Sequence, residues 1–109
     1  MSQPISVDVG NFTEKVLGAE LPTVVDFWAA WCGPCRMLEP VVEGLADQFA
    51  GRVQFAKLDI DANPDLAMAH RVFSIPTLVL FADGREVRRF LGYVPKDKLA
   101  RSLEVALPG

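Results

Sequence analysis

Apolar residues recur along this chain with two different periods, and the change from one to the other marks out its elements. Thr23 to Ala30 is a near-continuous apolar run rich in β-branched and aromatic side chains, the pattern of a strand buried on both faces. From Pro34 to about Phe49 the period lengthens. Cys35, Leu38, Val42, Leu45 and Phe49 follow a three-four-three-four spacing that makes one helical face, with Arg36, Glu39, Glu43 and Asp47 on the other. Pro40 lies inside this helix, lacks the N–H that would reach the carbonyl of Arg36, and predicts a bend. Ile5 to Val9 reads as a short first strand. A helix through about Leu17 follows, capped by Asn11 with Glu14 three residues on as in a capping box, and ended by Gly18. Val53 to Leu58 is the next strand, and Asn63-Pro64 supplies a cap and first position for a short helix to about Arg71. Thr77 to Phe81 and Glu86 to Leu91 flank Ala82-Asp83-Gly84-Arg85, a hairpin turn, and a last helix runs from about Pro95 to Leu107.

The order is therefore β-α-β-α-β-α-β-β-α. Strands joined through helices favour parallel pairing with right-handed crossovers, while the hairpin adds antiparallel strands at one side. This predicts an α/β fold with a mixed central sheet of about five strands flanked by four helices. The chain has 109 residues, half of them apolar, with no internal repeat and no polar linker, which predicts one domain over 1–109.

Charge narrows the partners. A net charge of -3 and a pI near 5.0 give no bulk attraction to phosphate backbones or anionic lipid, so neither nucleic acid nor membrane is an expected partner. Arg85, Arg88, Arg89, Lys96, Lys98 and Arg101 gather in the last third, where they decorate the solvated faces of a strand and a helix. Met1 to Gly10 lacks a cationic stretch followed by an apolar run, and no apolar stretch is long enough to span a bilayer, so a soluble cytoplasmic chain is expected. In that compartment two cysteines three apart point to redox chemistry or metal binding rather than to a structural staple.

Trp31-Cys32-Gly33-Pro34-Cys35 falls at the junction of the buried strand and the long helix. A helix N-terminus offers unpaired N–H groups and positive partial charge that stabilise a thiolate, the nucleophile of disulfide exchange, which makes Cys32 the attacking thiol. Cys35 sits one turn into the helix on its apolar face, and the expectation is that greater burial holds it protonated until it resolves a mixed disulfide. Gly33 lets the first turn adapt to an S–S bond, and Pro34 restrains it at a helix start. The metal alternative is short of ligands: a zinc site takes about four, and beyond the pair the chain offers only His70. Haem attachment needs a histidine directly after the second cysteine, where Arg36 stands. His70 is read as a partly packed residue at a helix end.

With these residues in view the chain resembles the thioredoxin family, whose hallmark is the string Trp31-Cys32-Gly33-Pro34-Cys35 preceded by Val25-Asp26-Phe27-Trp28-Ala29. The resemblance extends along the chain through Pro40, Lys57-Leu58-Asp59, Ile75-Pro76-Thr77, the Asp83-Gly84 turn and Gly92. It implies a thioredoxin fold and a protein dithiol/disulfide oxidoreductase that reduces client disulfides through a reversible Cys32–Cys35 bond. No bound cofactor and a monomeric carrier are implied with it. Regeneration would come from a thioredoxin reductase, an NADPH-fed flavoprotein or alternatively a ferredoxin-linked enzyme.

The resemblance also implies roles for particular residues. Asp26, in an apolar strand where burial should raise its pKa, would accept the proton of Cys35 through a water. Lys57 would lie on the neighbouring strand and tune the charge of Asp26. Pro76 would be a cis-proline holding Ile75 extended for strand-like pairing with a substrate segment. Trp31, Gly33, Pro34, Ile75, Pro76, Gly92 and Tyr93 would rim Cys32 as a flat, mostly apolar docking surface, with Trp28 packed beneath it. Phe12, Phe27, Phe55 and Phe81 are read as core. Phe73, Ser74 and Tyr93 depart from the commoner family pattern and bear on client preference rather than on sulfur chemistry. Two other functions remain open on these residues: an oxidase or isomerase on the same fold, and a binding subunit that docks through the apolar rim without redox turnover.

Overall fold

The computed structural model describes residues 3–108. Its strands are β1 (Ile5–Ser6), β2 (Thr23–Trp28), β3 (Gln54–Asp59), β4 (Thr77–Ala82) and β5 (Arg85–Leu91). They form one mixed sheet in the order β1-β3-β2-β4-β5. The run with the longest apolar stretch takes the central place: β2 pairs in parallel with β3 and antiparallel with β4. A strand flanked on both edges and covered on both faces must be apolar on both sides, and every residue of β2 up to Phe27 is buried.

Helices α1 (Gly33–Gln48), α2 (Pro64–Ala69) and α3 (Lys96–Ala106) cover the sheet, together with a wide helical turn over Thr13–Leu17. Alternation along β2 divides the core between the two faces. Val24 packs with Leu38, Leu45, Leu99 and Leu103 of α1 and α3. Val25 and Phe27 pack with Phe12, Val16, Ala67 and Phe81 on the other side. Asp26 shares the parity of Val24 and so faces α1. The four phenylalanines expected in the core are all buried there, and Pro40 lies inside α1 as expected.

Three local expectations require correction. The first strand stops at Ser6 because the chain turns away: Asp8 Oδ1 accepts the N–H groups of Gly10 and Asn11. The Asn11 side chain therefore does not cap the next segment but accepts the N–H of Asp8. That segment closes with a bond from Gly18 N–H to the Thr13 carbonyl, five residues back, making it wider than an α-helix. Asn63 precedes α2 without capping it through its side chain. Its carbonyl oxygen instead accepts the N–H of Val9, and its amide donates to the Asp59 carbonyl.

The β4–β5 hairpin turns through Asp83 and Gly84, both at positive φ, 54° and 80°, the pair of conformations a two-residue type I′ turn requires. A Cβ at Gly84 would meet only an ordinary contact with the Leu17 carbonyl. The cost of Gly84→Ala is thus conformational, about 1 kcal/mol, read as a lower denaturation midpoint with unchanged slope.

Candidate functional site

β2 delivers the chain to one end of the sheet, and α1 starts five residues beyond Trp28, so both cysteines lie where a strand gives way to a helix N-terminus. Cys32 is the N-cap, extended at φ -91° and ψ 111°, and its Sγ accepts the N–H of Cys35 at 3.2 Å. The sulfur fills the place that a serine or aspartate oxygen often takes at this position, facing one of the N–H groups a helix start leaves unpaired. Cys32 and Cys35 are joined by a disulfide, with Cα atoms 5.3 Å apart. Both are enclosed, at 5 % and 3 % exposure, so burial alone ranks them little. Position separates them: Cys32 lines a surface groove, and Cys35 does not.

That groove, about 420 Å³, is lined by Trp31, Cys32, Gly33 and Pro34 from the start of α1, by Ile60, and by the segment Val72, Phe73, Ser74 and Ile75. The Ile75–Pro76 peptide is cis, as the resemblance implied. It brings the Ile75 carbonyl oxygen to 3.9 Å from Cys32 Sγ. Thr77 Oγ1 donates to the Ser74 carbonyl at 2.7 Å, and Gly92 N–H to the Pro76 carbonyl at 2.8 Å, fixing the loop from both sides. Gly92 adopts φ 76°, which favours glycine.

Gly92 and the half-exposed Tyr93 were expected on the rim, but they do not line this groove. Pro76 is itself buried. Ile60, Val72 and the largely exposed Phe73 line it instead. Ile60 and Val72 were not foreseen, because loop residues carry no periodicity that would show them meeting. Trp31, 67 % exposed, is held over one side by its indole N–H, which donates to Asp61 at 2.9 Å. Asp61 was likewise not foreseen.

Behind the cysteines, Asp26 is buried, and its Oδ1 has no hydrogen-bond partner. Its pKa is raised to about 7, chiefly by burial, with nearby Lys57 lowering it and Glu39 raising it. Lys57 stands directly across from Asp26 in the β2–β3 register. Its ammonium does not close on Asp26, however. It pairs with Glu39 of α1 at 2.9 Å and lies 4.2 Å from the centre of the Trp28 ring. Asp26 is thus left without the ion pair that would hold it ionised at low pH.

A disulfide at a helix N-terminus, open on one side to a groove, can pass electrons by breaking and reforming its own S–S bond, the chemistry of dithiol/disulfide oxidoreductases. Comparison with known proteins gives the same class. The Thioredoxin family model matches residues 3–105. The thioredoxin of Synechocystis sp. is 48% identical over 104 residues, covering 95% of this chain and 97% of that one. The thioredoxin of Mycobacterium bovis is 46% identical over 107 residues, covering 98% and 92%. A bifunctional thioredoxin reductase/thioredoxin of Mycobacterium leprae is 43% identical over 104 residues, 95% of this chain but 23% of that protein. This chain belongs to the thioredoxin family, and it is a dithiol/disulfide oxidoreductase with the Cys32–Cys35 disulfide as its redox centre.

His70 is partly packed, its ring 4.9 Å from that of Phe12 and 5.5 Å from that of Phe81. Among the described residues no group of three or more His, Cys, Asp and Glu could hold a metal ion. Nor is any described helix long and apolar enough to cross a membrane.

Proposed function

We propose that the chain works as a single thioredoxin domain in the cytoplasm, as a reductant of disulfides in client proteins, and that its two sulfurs act in fixed order. In the reduced protein the Cys32 thiolate attacks one sulfur of the client disulfide. A mixed disulfide forms, and the other client sulfur leaves as a thiolate that takes up a proton. Asp26 then accepts the proton of Cys35, directly or through a water. The Cys35 thiolate attacks Cys32 Sγ, closing the Cys32–Cys35 bond and releasing the second client thiolate. Two electrons pass to the client, and the carrier is left oxidised.

The observation that carries this order is the groove. It reaches Cys32 and not Cys35, so a large substrate meets Cys32 first. A carboxyl with pKa about 7 suits the second step, since a base is most effective when its pKa lies near the working pH. Lys57 acts on Asp26 through charge. Gly33 and Pro34 shape the turn, while Trp31 and Ile75 contact the client, with Pro76 presenting Ile75. Gly92 supports the Pro76 carbonyl, and Tyr93 contacts only clients that extend past the groove.

No cofactor is required beyond the disulfide. Electrons come from a separate thioredoxin reductase, an NADPH-dependent flavoprotein. The bifunctional thioredoxin reductase/thioredoxin of Mycobacterium leprae supports a reductase as partner.

Trapping tests the order. Cys35→Ser should accumulate a stable mixed disulfide with an oxidised test protein, visible as a mass increase reversed by a small thiol, with more than about tenfold higher yield than the parent. Equal yields from Cys35→Ser and the parent would reverse the assignment. A reduction potential as oxidising as that of protein disulfide isomerase, about -180 mV, would point to an oxidase or isomerase instead.

A further inference from the structure

Helix α2 ends in an unusual way. Arg71 N–H bonds to the Met68 carbonyl at 2.9 Å, and Val72 N–H to the Ala67 carbonyl at 3.0 Å. This pair of bonds is a Schellman closure, in which the residue at C′ takes the left-handed conformation and is usually glycine. Here it is Arg71, at φ 55°. The next four residues, Val72 to Ile75, form the second stretch of groove lining. A left-handed conformation, uncommon for an L-residue, therefore sets the departure angle of the groove wall.

Arg89 lies on β5 opposite Val79 of β4, whose side chain belongs to the core face that α2 covers. Its guanidinium donates through Nη1 to the Arg71 carbonyl at 3.0 Å and through Nη2 to the His70 carbonyl at 2.7 Å. Glu86, on the same strand, accepts from Nε and Nη2, each at 2.8 Å. The planar fork is thus held by a carboxylate on one side and grips the carbonyls of the two residues that follow α2, His70 and Arg71, on the other. A strand fixed in the sheet is tied in this way to the turn that leads into the groove.

Resting on the assignment of this groove to client proteins, we propose that Arg89, oriented by Glu86, is a positioning residue for client recognition. It holds the left-handed turn at Arg71 and, through that turn, the Val72–Ile75 wall. Arg89 touches neither sulfur nor client. Its loss therefore weakens binding of a client that spans the groove and spares the chemistry at Cys32.

Arg89→Met keeps the aliphatic stem and removes the fork. With a disulfide-bonded test protein as substrate, KM should rise about fivefold with kcat little changed, while turnover of a small aromatic disulfide stays within about twofold of the parent. The reduction potential should not move. Arg89→Lys keeps the charge without the fork and should shift KM the same way by a smaller factor, which keeps the test usable if Arg89→Met folds poorly. Arg71→Gly relieves the left-handed turn, so in that background Arg89→Met should change KM by less than about twofold.

An unchanged protein KM in both Arg89 variants, equal losses on both substrates, or an equal effect of Arg89→Met with Arg71 or Gly at 71 would overturn the inference. The underlying assignment fails separately. If Cys32→Ser still turned over the small disulfide, the attacking sulfur would be wrong whatever Arg89 does. If Cys32→Ser were inert and Arg89→Met matched the parent, only the positioning role would fall.

Discussion

Cys32→Ser is expected to abolish dithiol-driven reduction of a disulfide-bonded protein, with a fall of more than about 1000-fold in rate. A serine hydroxyl yields no thiolate near neutral pH and cannot enter an S–S bond, so both the first attack and the closing step are lost. Cys35 remains a free thiol in this variant. It is 3 % exposed and absent from the groove lining, so it does not substitute as the first nucleophile. The fold should persist, because serine is among the best residues at the N-cap position that Cys32 occupies. An unchanged circular dichroism spectrum with no reduction of the disulfide-bonded test protein would separate lost chemistry from lost structure. Retention of the parent rate would show that the nucleophile lies elsewhere.

The elements that dominate this fold are those with a strong period. β2 and α1 follow from the run at Thr23 and the spacing from Cys35 to Phe49 because burial on both faces of a strand, or on one face of a helix, constrains every side chain in turn. Asn11 and Asn63 show where local signals lose to tertiary ones. Each has the composition of a cap, yet Asn11 is drawn to Asp8, and Asn63 bridges Val9 and Asp59 across 54 and 4 positions of sequence.

The site divides along the same line. The cysteine motif and Asp26 stand out as residue types in the wrong company, a thiol pair at a helix start and a carboxylate in an apolar strand. The cis-proline was legible only through family resemblance, since local energetics favour the trans form. Ile60, Val72 and Asp61 reach the site from loops whose positions depend on the whole sheet. The position of Lys57 beside Asp26 followed from the family resemblance, and the β2–β3 register places the two residues opposite each other. Its partner Glu39 belongs to the polar face of α1, and the meeting of a strand lysine with that face depends on how the helix packs. The left-handed Arg71 had no signal at all, because nothing in an arginine marks a positive φ.

Asp26→Ala is expected to change how stability varies with pH more than any other single substitution. The ordinary pKa of this carboxyl is 3.8, and in the folded protein it is raised to about 7, mainly by burial. Between those values the folded state holds a proton that the unfolded state has released, so stability falls as pH rises. The contribution is fully present below about pH 4 and is lost as pH passes through about 7. A difference of about three pKa units corresponds to an upper bound on the order of 4 kcal/mol. Above that range the parent carries a charged group whose Oδ1 has no partner, and such a group is costly in an apolar interior.

Denaturant unfolding of the oxidised protein at about pH 4 and about pH 8 should therefore show most of this loss in the parent and little of it in Asp26→Ala. At the higher pH the variant should be the more stable by a few kcal/mol, less the small cavity left by the shorter side chain. The gain is at the expense of turnover. Without a base behind Cys35, closure of the Cys32–Cys35 bond at neutral pH should slow by at least about tenfold, and the inflection near pH 7 in that step should vanish. Parallel stability slopes in parent and variant would mean that Asp26 is solvated enough to ionise as a surface carboxylate does. On the proposed mechanism, an unpaired buried acid is kept here at the cost of stability above neutral pH, in the range where it would serve Cys35 as a base.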